Sequence, residues 1–258
     1  MPPVDLPTLV TPEGRAFLWE FLTRHRELDK SDAIAHSDQM AFLGFCVEHF
    51  TQSHAQLMQD LFVLHRTGLR RGGYFVEFGA TDGIDLSNTY LLEREYGWTG
   101  ILAEPFSVWH EALAANRRAV IDHRCVWTAS GETMSFIASQ EPELAGLSIC
   151  ADEDMHVQRR MAGAAETQVE TVSLMDLLDQ HGAPRDIDYM SVDTEGSEFD
   201  ILSAFDFSRY RIRIVSVEHN YVDTKRDAIR EVLEGNGYRR EFELFSSWDD
   251  WYVRPDLF

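Results

Sequence analysis

A glycine turn and an acidic residue one strand further along are the residues of this chain best suited to hold a ligand. Gly79 and Gly83 follow an apolar run, and Glu104 ends the next apolar run. Glycine lets the backbone approach a bound group closely, and an acid at the end of a second strand accepts hydrogen bonds from ribose hydroxyls. The pattern therefore predicts a nucleoside site.

The charges around the turn indicate which nucleoside is bound. A dinucleotide site usually has G-x-G-x-x-G, which turns a helix N-terminus towards a pyrophosphate. Here the middle glycine is absent, and acids near the turn would repel a pyrophosphate. S-adenosylmethionine has no phosphate but carries a sulfonium and an ammonium group. A strand–turn–helix with no ligand is the alternative, but we predict that the methyl donor is bound here by Glu77, Gly79, Ala80, Asp82 and Gly83.

Several separated blocks resemble the FkbM family of S-adenosylmethionine-dependent methyltransferases. They are the segments 75–83, 86–92, 97–105, 172–177, 187–198 and 249–255. The resemblance covers roughly residues 56–258, and it departs from the family at Thr81, where Asn is frequent. It implies a class I methyltransferase fold and, usually, O-methylation of a hydroxyl on a sugar, glycan precursor or specialised metabolite.

Further donor contacts are expected after the first three strands. Ser87 and Asn88 open the helix that follows the turn, where side chains and backbone N–H groups can receive the methionine carboxylate. Simple helix capping is the alternative for both. Glu104 is expected to hold the ribose, or else to be a surface acid. Asp122 belongs to the third predicted strand, around which adenine would be bound.

The acceptor side needs alignment and a place for the hydroxyl proton. Ligands of open α/β sheets bind at the carboxyl ends of the strands, where strands four and five are each followed by acids. In one interpretation His219 or Asp193 is the general base, oriented by Glu195 or Glu218. In the other, Asp193 and Glu218, with Asn220, bind a divalent cation such as Mg²⁺ that lowers the hydroxyl pKa. For His219 a packed histidine is the alternative.

The order of predicted elements gives the fold class. Strands predicted at 74–79, 100–104, 119–127, 187–193 and 212–219 alternate with helices at 87–96, 107–116, 173–182, 197–205 and 224–235. Strands at 132–138 and 168–172 are additions, and a hairpin over 238–245 and 250–254 closes the chain. This alternation predicts an α/β, doubly wound, mostly parallel Rossmann-like sheet with an antiparallel C-terminal hairpin.

The remaining segments divide the chain into two predicted domains. Helices predicted to begin at Thr11 and to cover 38–50 and 53–67 form an N-terminal extension over 1–70, packed on a methyltransferase domain at 71–258. The extension could cover the pocket, form a homo-oligomer interface or cap the sheet. The long, weakly patterned stretch 139–167 is expected to recognise the acceptor or act as a lid. The aromatic residues Trp248, Trp251 and Tyr252 are expected to pack the hairpin rather than stack on a sugar.

Composition excludes several classes of function. The 258 residues carry a net charge of −21 without a basic stripe, so a nucleic-acid partner is not expected. Three cysteines without C-x-x-C spacing predict neither a disulfide framework nor a zinc site. The absence of a membrane-length apolar run and of a secretory pattern predicts a cytoplasmic protein without membrane insertion.

Three alternatives to an O-methyltransferase acting on a small-molecule or glycan acceptor stay open at this point. The acidic charge permits an amine acceptor and thus N-methylation. A methyltransferase scaffold used only for binding is the second alternative, opposed by the full set of predicted donor residues. A nicotinamide dehydrogenase is the third, opposed by the missing G-x-G-x-x-G.

Overall fold

The computed structural model describes residues 33–150 and 154–258, so the helix predicted to begin at Thr11 lies outside it. Two compact units divide the chain, with the boundary between Glu48 and His49. Our predicted boundary was near residue 70, and the packing of an extension on the core stays a prediction. In the first unit the described element is helix α1 (Ala33–His49), on which Phe42 is buried.

The second unit alternates strands and helices. Its strands are β1 (Tyr74–Phe78), β2 (Thr99–Ala103), β3 (Val120–Asp122), β4 (Cys125–Trp127), β5 (Thr133–Ala138), β6 (Gly146–Leu147), β7 (Ala165–Ser173), β8 (Asp186–Val192), β9 (Arg211–Glu218), β10 (Arg239–Glu241) and β11 (Asp249–Val253). Its helices are α2 (Gln59–Arg66), α3 (Tyr90–Tyr96), α4 (His110–Asn116), α5 (Val157–Met161), α6 (Leu174–Gln180), α7 (Glu198–Ser203), α8 (Asp223–Gly235) and α9 (Glu243–Ser246).

The central sheet has the order β10-β11-β9-β8-β1-β2-β3. Neighbours from β9 to β3 run parallel, whereas β11 is antiparallel to both β9 and β10. The chain moves outward from β1 through β2 to β3 and then crosses to β8 on the other side of β1. This reversal is the topological switch point, where the carboxyl ends of β1 and β8 open a crevice for a ligand.

A smaller sheet of order β4-β7-β5-β6 stands beside the central one. It corrects one prediction, because the strand expected over 119–127 is two strands that belong to different sheets. Asp122 ends β3, and its carboxylate accepts a hydrogen bond from the backbone N–H of Arg124 at 2.9 Å. A turn closed by a side chain in this way competes with the hydrogen bonds between neighbouring strands. The strand therefore ends at Asp122, and the chain continues into the second sheet.

Aromatic side chains fix the C-terminal strands from the outside. Trp251 and Tyr252 of β11 are fully buried, and Trp251 stacks on Phe62 of α2 with ring centroids 4.8 Å apart. The predicted packing role of these two residues is confirmed. Trp248, in the turn immediately before β11, lines the cavity described below. Within the described residues, no helix is long and apolar enough to cross a membrane.

Ser173 caps helix α6, as its position before an apolar periodic run predicts. Its hydroxyl accepts a hydrogen bond from the backbone N–H of Asp176 at 3.1 Å. Ser173→Ala leaves that N–H without its partner, and we expect a loss of about 1 kcal/mol in the free energy of unfolding. Urea denaturation of the two proteins measures the difference. A free energy unchanged within error would contradict the capping role.

Candidate active site

A cavity of about 350 Å³ lies at the carboxyl ends of β1, β2, β8 and β9. Residues of the second sheet and of the stretch 142–159 form its other side. Of the residues predicted to bind or react, those that line the cavity are Gly79, Asn88, Glu104, Asp193, Glu195, Glu218 and Asn220. Those that do not line it are Glu77, Ala80, Asp82, Gly83, Ser87, Asp122 and His219.

Gly79 brings the first turn against the end of β8. Its φ angle of +74° is one that L side chains rarely adopt, and a Cβ atom there would lie 2.2 Å from the backbone oxygen of Asp193. The turn after β1 and the turn after β8 therefore touch through backbone atoms alone. This contact forms the floor of the cavity.

Glu104 follows β2 with its carboxylate in the cavity wall. It accepts hydrogen bonds from the backbone N–H groups of Thr81 at 2.9 Å and Phe106 at 2.8 Å. The side chain is 4% exposed, and burial raises its pKa to about 7, although the two hydrogen bonds oppose the rise. A carboxylate has about four acceptor positions, so two backbone donors leave capacity for ligand hydroxyls.

Glu77 holds the start of helix α3 from behind the turn. Its carboxylate accepts hydrogen bonds from the Ser87 hydroxyl and from the backbone N–H of Asn88, the latter at 2.7 Å. The buried guanidinium of Arg117 lies 3.6 Å away, and a Cβ on Gly83 would come within 2.6 Å of the Arg117 side chain. Glu77, Ser87 and Gly83 thus belong to one buried network that supports the cavity without lining it.

Asn88 lines the cavity, but both of its hydrogen-bond donors are bound within the protein. Its Nδ2 donates to the hydroxyl of Ser191 at 2.8 Å, and its backbone N–H is taken by Glu77. Its Oδ1 is buried and has no hydrogen-bond partner. The donation to the methionine carboxylate that the sequence predicts for Asn88 is therefore wrong in this structure, because Glu77 and Ser191 already accept from its backbone N–H and its Nδ2.

Asp82 and Asp122 accept hydrogen bonds from residues of their own loops. Asp82 accepts hydrogen bonds from the backbone N–H groups of Ile84 and Asp85. Asp122 is bound by Arg124 and His181, and although burial acts in the opposite sense, these hydrogen bonds lower its pKa to about 2. Neither carboxylate lines the cavity, so the structure does not bring either to the predicted donor position.

Three acids meet at the ends of β8 and β9, and we call Asp193, Glu195 and Glu218 the acid trio. Each can offer an oxygen within 4.8 Å of the others. Burial, followed by repulsion from neighbouring acids, raises the pKa of Asp193 and of Glu195 to about 8, and raises that of Glu218 well above its usual value. Three carboxylates this close cannot all stay ionised without a proton or a cation between them.

The two residues after Glu218 differ in their surroundings. Asn220 lines the cavity and donates through Nδ2 to Glu218 at 2.7 Å. His219 is 4% exposed, its Nδ1 accepts the backbone N–H of Tyr221, and its Nε2 lies 3.8 Å from Asp250. Burial lowers the pKa of His219. These contacts place the histidine behind the site, in keeping with a packing role.

Gln56, Gln59 and Arg160 escaped the sequence analysis, in which Trp248 is expected only to pack the hairpin. Gln56, Gln59 and Trp248 line the cavity, and the fully buried Arg160 binds Glu195 at 2.6 Å. Residues 142–145 and Leu147 also line it, beside Met155, His156 and Arg159, within the stretch predicted to recognise the acceptor. No spacing rule marks such residues, because each reaches the site from a separate part of the chain.

The strand order, with a ligand-sized cavity at the switch point, defines a Rossmann-like class I methyltransferase fold. The family model described as "Methyltransferase FkbM domain" matches residues 77–240, more than half of the chain. The chain belongs to the FkbM methyltransferase family. It is therefore a methyltransferase, and its family implies S-adenosylmethionine as the donor.

Solved structures similar to the chain are also methyltransferases. Precorrin-6y C5,15-methyltransferase from Geobacter metallireducens GS-15 is 13% identical, with 70% of this chain and 72% of that one covered at a TM-score of 0.39. A methyltransferase from Pyrococcus furiosus is 12% identical, with 77% and 82% covered at a TM-score of 0.39. No curated protein matches the chain. The fold is established by the strand order and the family match, not by these distant likenesses.

Proposed function

We propose that this protein is an S-adenosylmethionine-dependent O-methyltransferase that acts on a hydroxyl of a sugar, glycan precursor or specialised metabolite. The observation that carries the proposal is that the acid trio lines the same cavity as Gly79 and Glu104. Gly79 and Glu104 provide the backbone turn and the buried acid that suit a nucleoside, and we call them the donor end. The acid trio, which meets the Gly79 turn at Asp193, provides carboxylates that suit a hydroxyl and its proton, and we call it the acceptor end.

S-adenosylmethionine, the proposed donor, fits the residues at the donor end of the cavity. Gly79 offers only backbone atoms to the cavity, since its contact with Asp193 excludes a side chain, and Glu104 has acceptor capacity for the ribose hydroxyls. When bound, S-adenosylmethionine supplies an electrophilic methyl group on a sulfonium.

The acid trio supplies a place for the acceptor's proton. A general base works best when its pKa lies near the working pH, and burial raises the pKa of Asp193 to about 8. Asp193 follows β8 directly beside the Gly79 turn, and Glu218 ends the neighbouring strand β9. We assign Asp193, with Glu218 beside it, as the group that accepts the hydroxyl proton.

The same acids fit a divalent cation. Mg²⁺ prefers oxygen ligands, and the trio offers three of them within 4.8 Å of one another. Asn220 lines the cavity beside Glu218 and retains its amide oxygen as a fourth. A bound cation would lower the hydroxyl pKa and orient neighbouring hydroxyls of the acceptor.

Calorimetric titration with S-adenosylmethionine and its demethylated product tests the donor site, with and without a chelator. If the folded protein binds neither ligand, the proposed function is wrong, and the chain is better interpreted as a binding scaffold without catalysis. If both bind, a screen of sugars, glycosides and matched amines follows, read as methyl transfer from labelled donor. Transfer to hydroxyls supports the proposal, whereas transfer only to amines would identify an N-methyltransferase.

Glu104→Ala is expected to weaken donor binding by about 10- to 100-fold, the worth of a hydrogen bond to a charged group. The reason is that its carboxylate is the proposed acceptor for the ribose hydroxyls, and the backbone N–H groups of Thr81 and Phe106 hold that carboxylate in the cavity wall. The measurement is the Kd of S-adenosylhomocysteine. Glu111→Ala, an exposed acid on α4, serves as the control. Unchanged affinity in Glu104→Ala would remove it from the ribose role.

A further inference from the structure

The outer wall of the cavity, which we define as residues 142–150, packs tightly on the loop that carries Glu195. A Cβ on Gly146 would lie 3.1 Å from the Cβ of Glu195, which is tighter than ordinary van der Waals contact. A Cβ on Gly196 would lie 2.9 Å from that of Cys150. Glycines at both positions allow the outer wall to approach the acid trio this closely.

Arg160 holds the outer wall and the Glu195 loop together through buried hydrogen bonds. The side chain is fully buried, and its Nε donates to the backbone oxygen of Leu144 in the outer wall at 2.8 Å. Its Nη2 donates to Asp154 and to Glu195, each at 2.6 Å. One guanidinium thus joins the outer wall, the segment before α5 and the acid that follows β8.

The energetics of this arrangement favour a role beyond packing. A buried ion pair rarely adds stability over apolar side chains of similar size, because both charges lose their water. The rigid fork of Arg160 instead fixes the direction of each partner. Glu195 is held at one oxygen by Arg160, which determines where its carboxylate lies relative to Asp193 and Glu218.

We propose that Arg160 is a positioning residue for the methyl acceptor: it holds the outer wall and Glu195 together and so sets the width of the cavity beside the acid trio. The inference rests on the proposed function, which places the acceptor at that end. The donor end is held by other contacts: the backbone N–H groups of Thr81 and Phe106 bind Glu104, and Gly79 packs on the backbone of Asp193.

Two variants test the proposal through different atoms. Arg160→Met removes the guanidinium but keeps most of the volume, and Gly146→Ala pushes on Glu195 without changing any charge. Because misplacement of about 1 Å can cost about 100-fold in rate, we expect each variant to lower kcat/KM for the hydroxyl acceptor found in the screen by about 10- to 100-fold. The Kd of S-adenosylhomocysteine should stay within about twofold, and Arg160→Lys should recover part of the loss.

Matched controls isolate the position of the change. Arg209→Met breaks an exposed ion pair with Asp179 whose atoms are also 2.6 Å apart, and Gly235→Ala adds a Cβ with no atom within 4 Å. Both should keep the wild-type kcat/KM. Amide hydrogen exchange gives a readout without an acceptor: the outer wall should exchange faster in Arg160→Met, while β1 and β2 keep their protection.

The outcomes separate this inference from the proposed function. Wild-type protein that binds donor but methylates no hydroxyl would defeat the proposed function, and exchange would still report whether Arg160 holds the outer wall. Two results would overturn the role of Arg160. One is that the outer wall of Arg160→Met exchanges its amide hydrogens at the wild-type rate. The other is that Arg160→Met and Gly146→Ala both keep the wild-type kcat/KM for the acceptor. If Arg160→Met does not fold, Arg160→Lys and Gly146→Ala decide the question.

Discussion

Asp193→Asn is expected to reduce kcat at least about 100-fold, the usual contribution of a positioned base, while the Kd of S-adenosylhomocysteine changes by less than about twofold. The amide is nearly the same size as the carboxylate but cannot accept the hydroxyl proton, and it is a weaker cation ligand. Single-turnover methyl transfer measures the chemical step, and calorimetry measures donor affinity. Full activity of the variant would sink both the base and the cation proposals for Asp193.

The pH and chelator dependence separates those two proposals. Burial raises the pKa of Asp193 to about 8, so a base at this position carries its proton at lower pH and gains activity as pH rises through that value. If Asp193 acts as a base, wild-type kcat should rise with pH and be indifferent to a chelator. If it holds a cation, the chelator should abolish turnover. Asp227→Asn, an exposed acid on α8, is the control.

Gly79→Ala is expected to abolish measurable donor binding and to lower the free energy of unfolding by about 2 kcal/mol or more. A φ angle of +74° strains any L side chain, and the new Cβ would lie 2.2 Å from the backbone oxygen of Asp193. Relief requires the turns after β1 and β8 to separate. Both donor affinity and turnover should therefore fall, unlike the effect of Asp193→Asn.

Gly182→Ala separates backbone strain from steric contact. Gly182 has a φ angle of +64°, but a Cβ there meets no atom within 4 Å. We expect it to lose about 1 kcal/mol of stability from the left-handed conformation and to bind S-adenosylhomocysteine normally. Urea denaturation and calorimetry report the two quantities for both variants. Wild-type donor affinity in a folded Gly79→Ala protein would show that this turn does not contact the donor.

The fold could be predicted from local patterns because parallel strands are buried runs between helices. The predicted first strand at 74–79 is β1 at Tyr74–Phe78, and the second at 100–104 is β2 at Thr99–Ala103. The switch point then follows from connectivity rules. The strand predicted over 119–127 was wrong because a side-chain turn at Asp122 sends its second half to another sheet.

The candidate site could be predicted in part. Gly79, Glu104 and Asp193 follow strand ends, and such residues meet at one edge of a parallel sheet whatever the rest of the chain does. Glu77 and Ser87 also lie near the turn in sequence, but the tertiary structure turns them into a buried network with Arg117. Sequence distance to a motif does not reveal which face of it a side chain occupies.

The sequence by itself determined the family, the alternation of strands and helices along the chain, and the acids that follow β8 and β9. Only the tertiary structure decided that Glu195 joins Asp193 and Glu218 in the acid trio while His219 lies behind it. It also brought in Arg160, which lies 35 residues from Glu195 in the chain. Local residue pattern specifies strands and turns, whereas contacts between distant segments depend on how every intervening element packs.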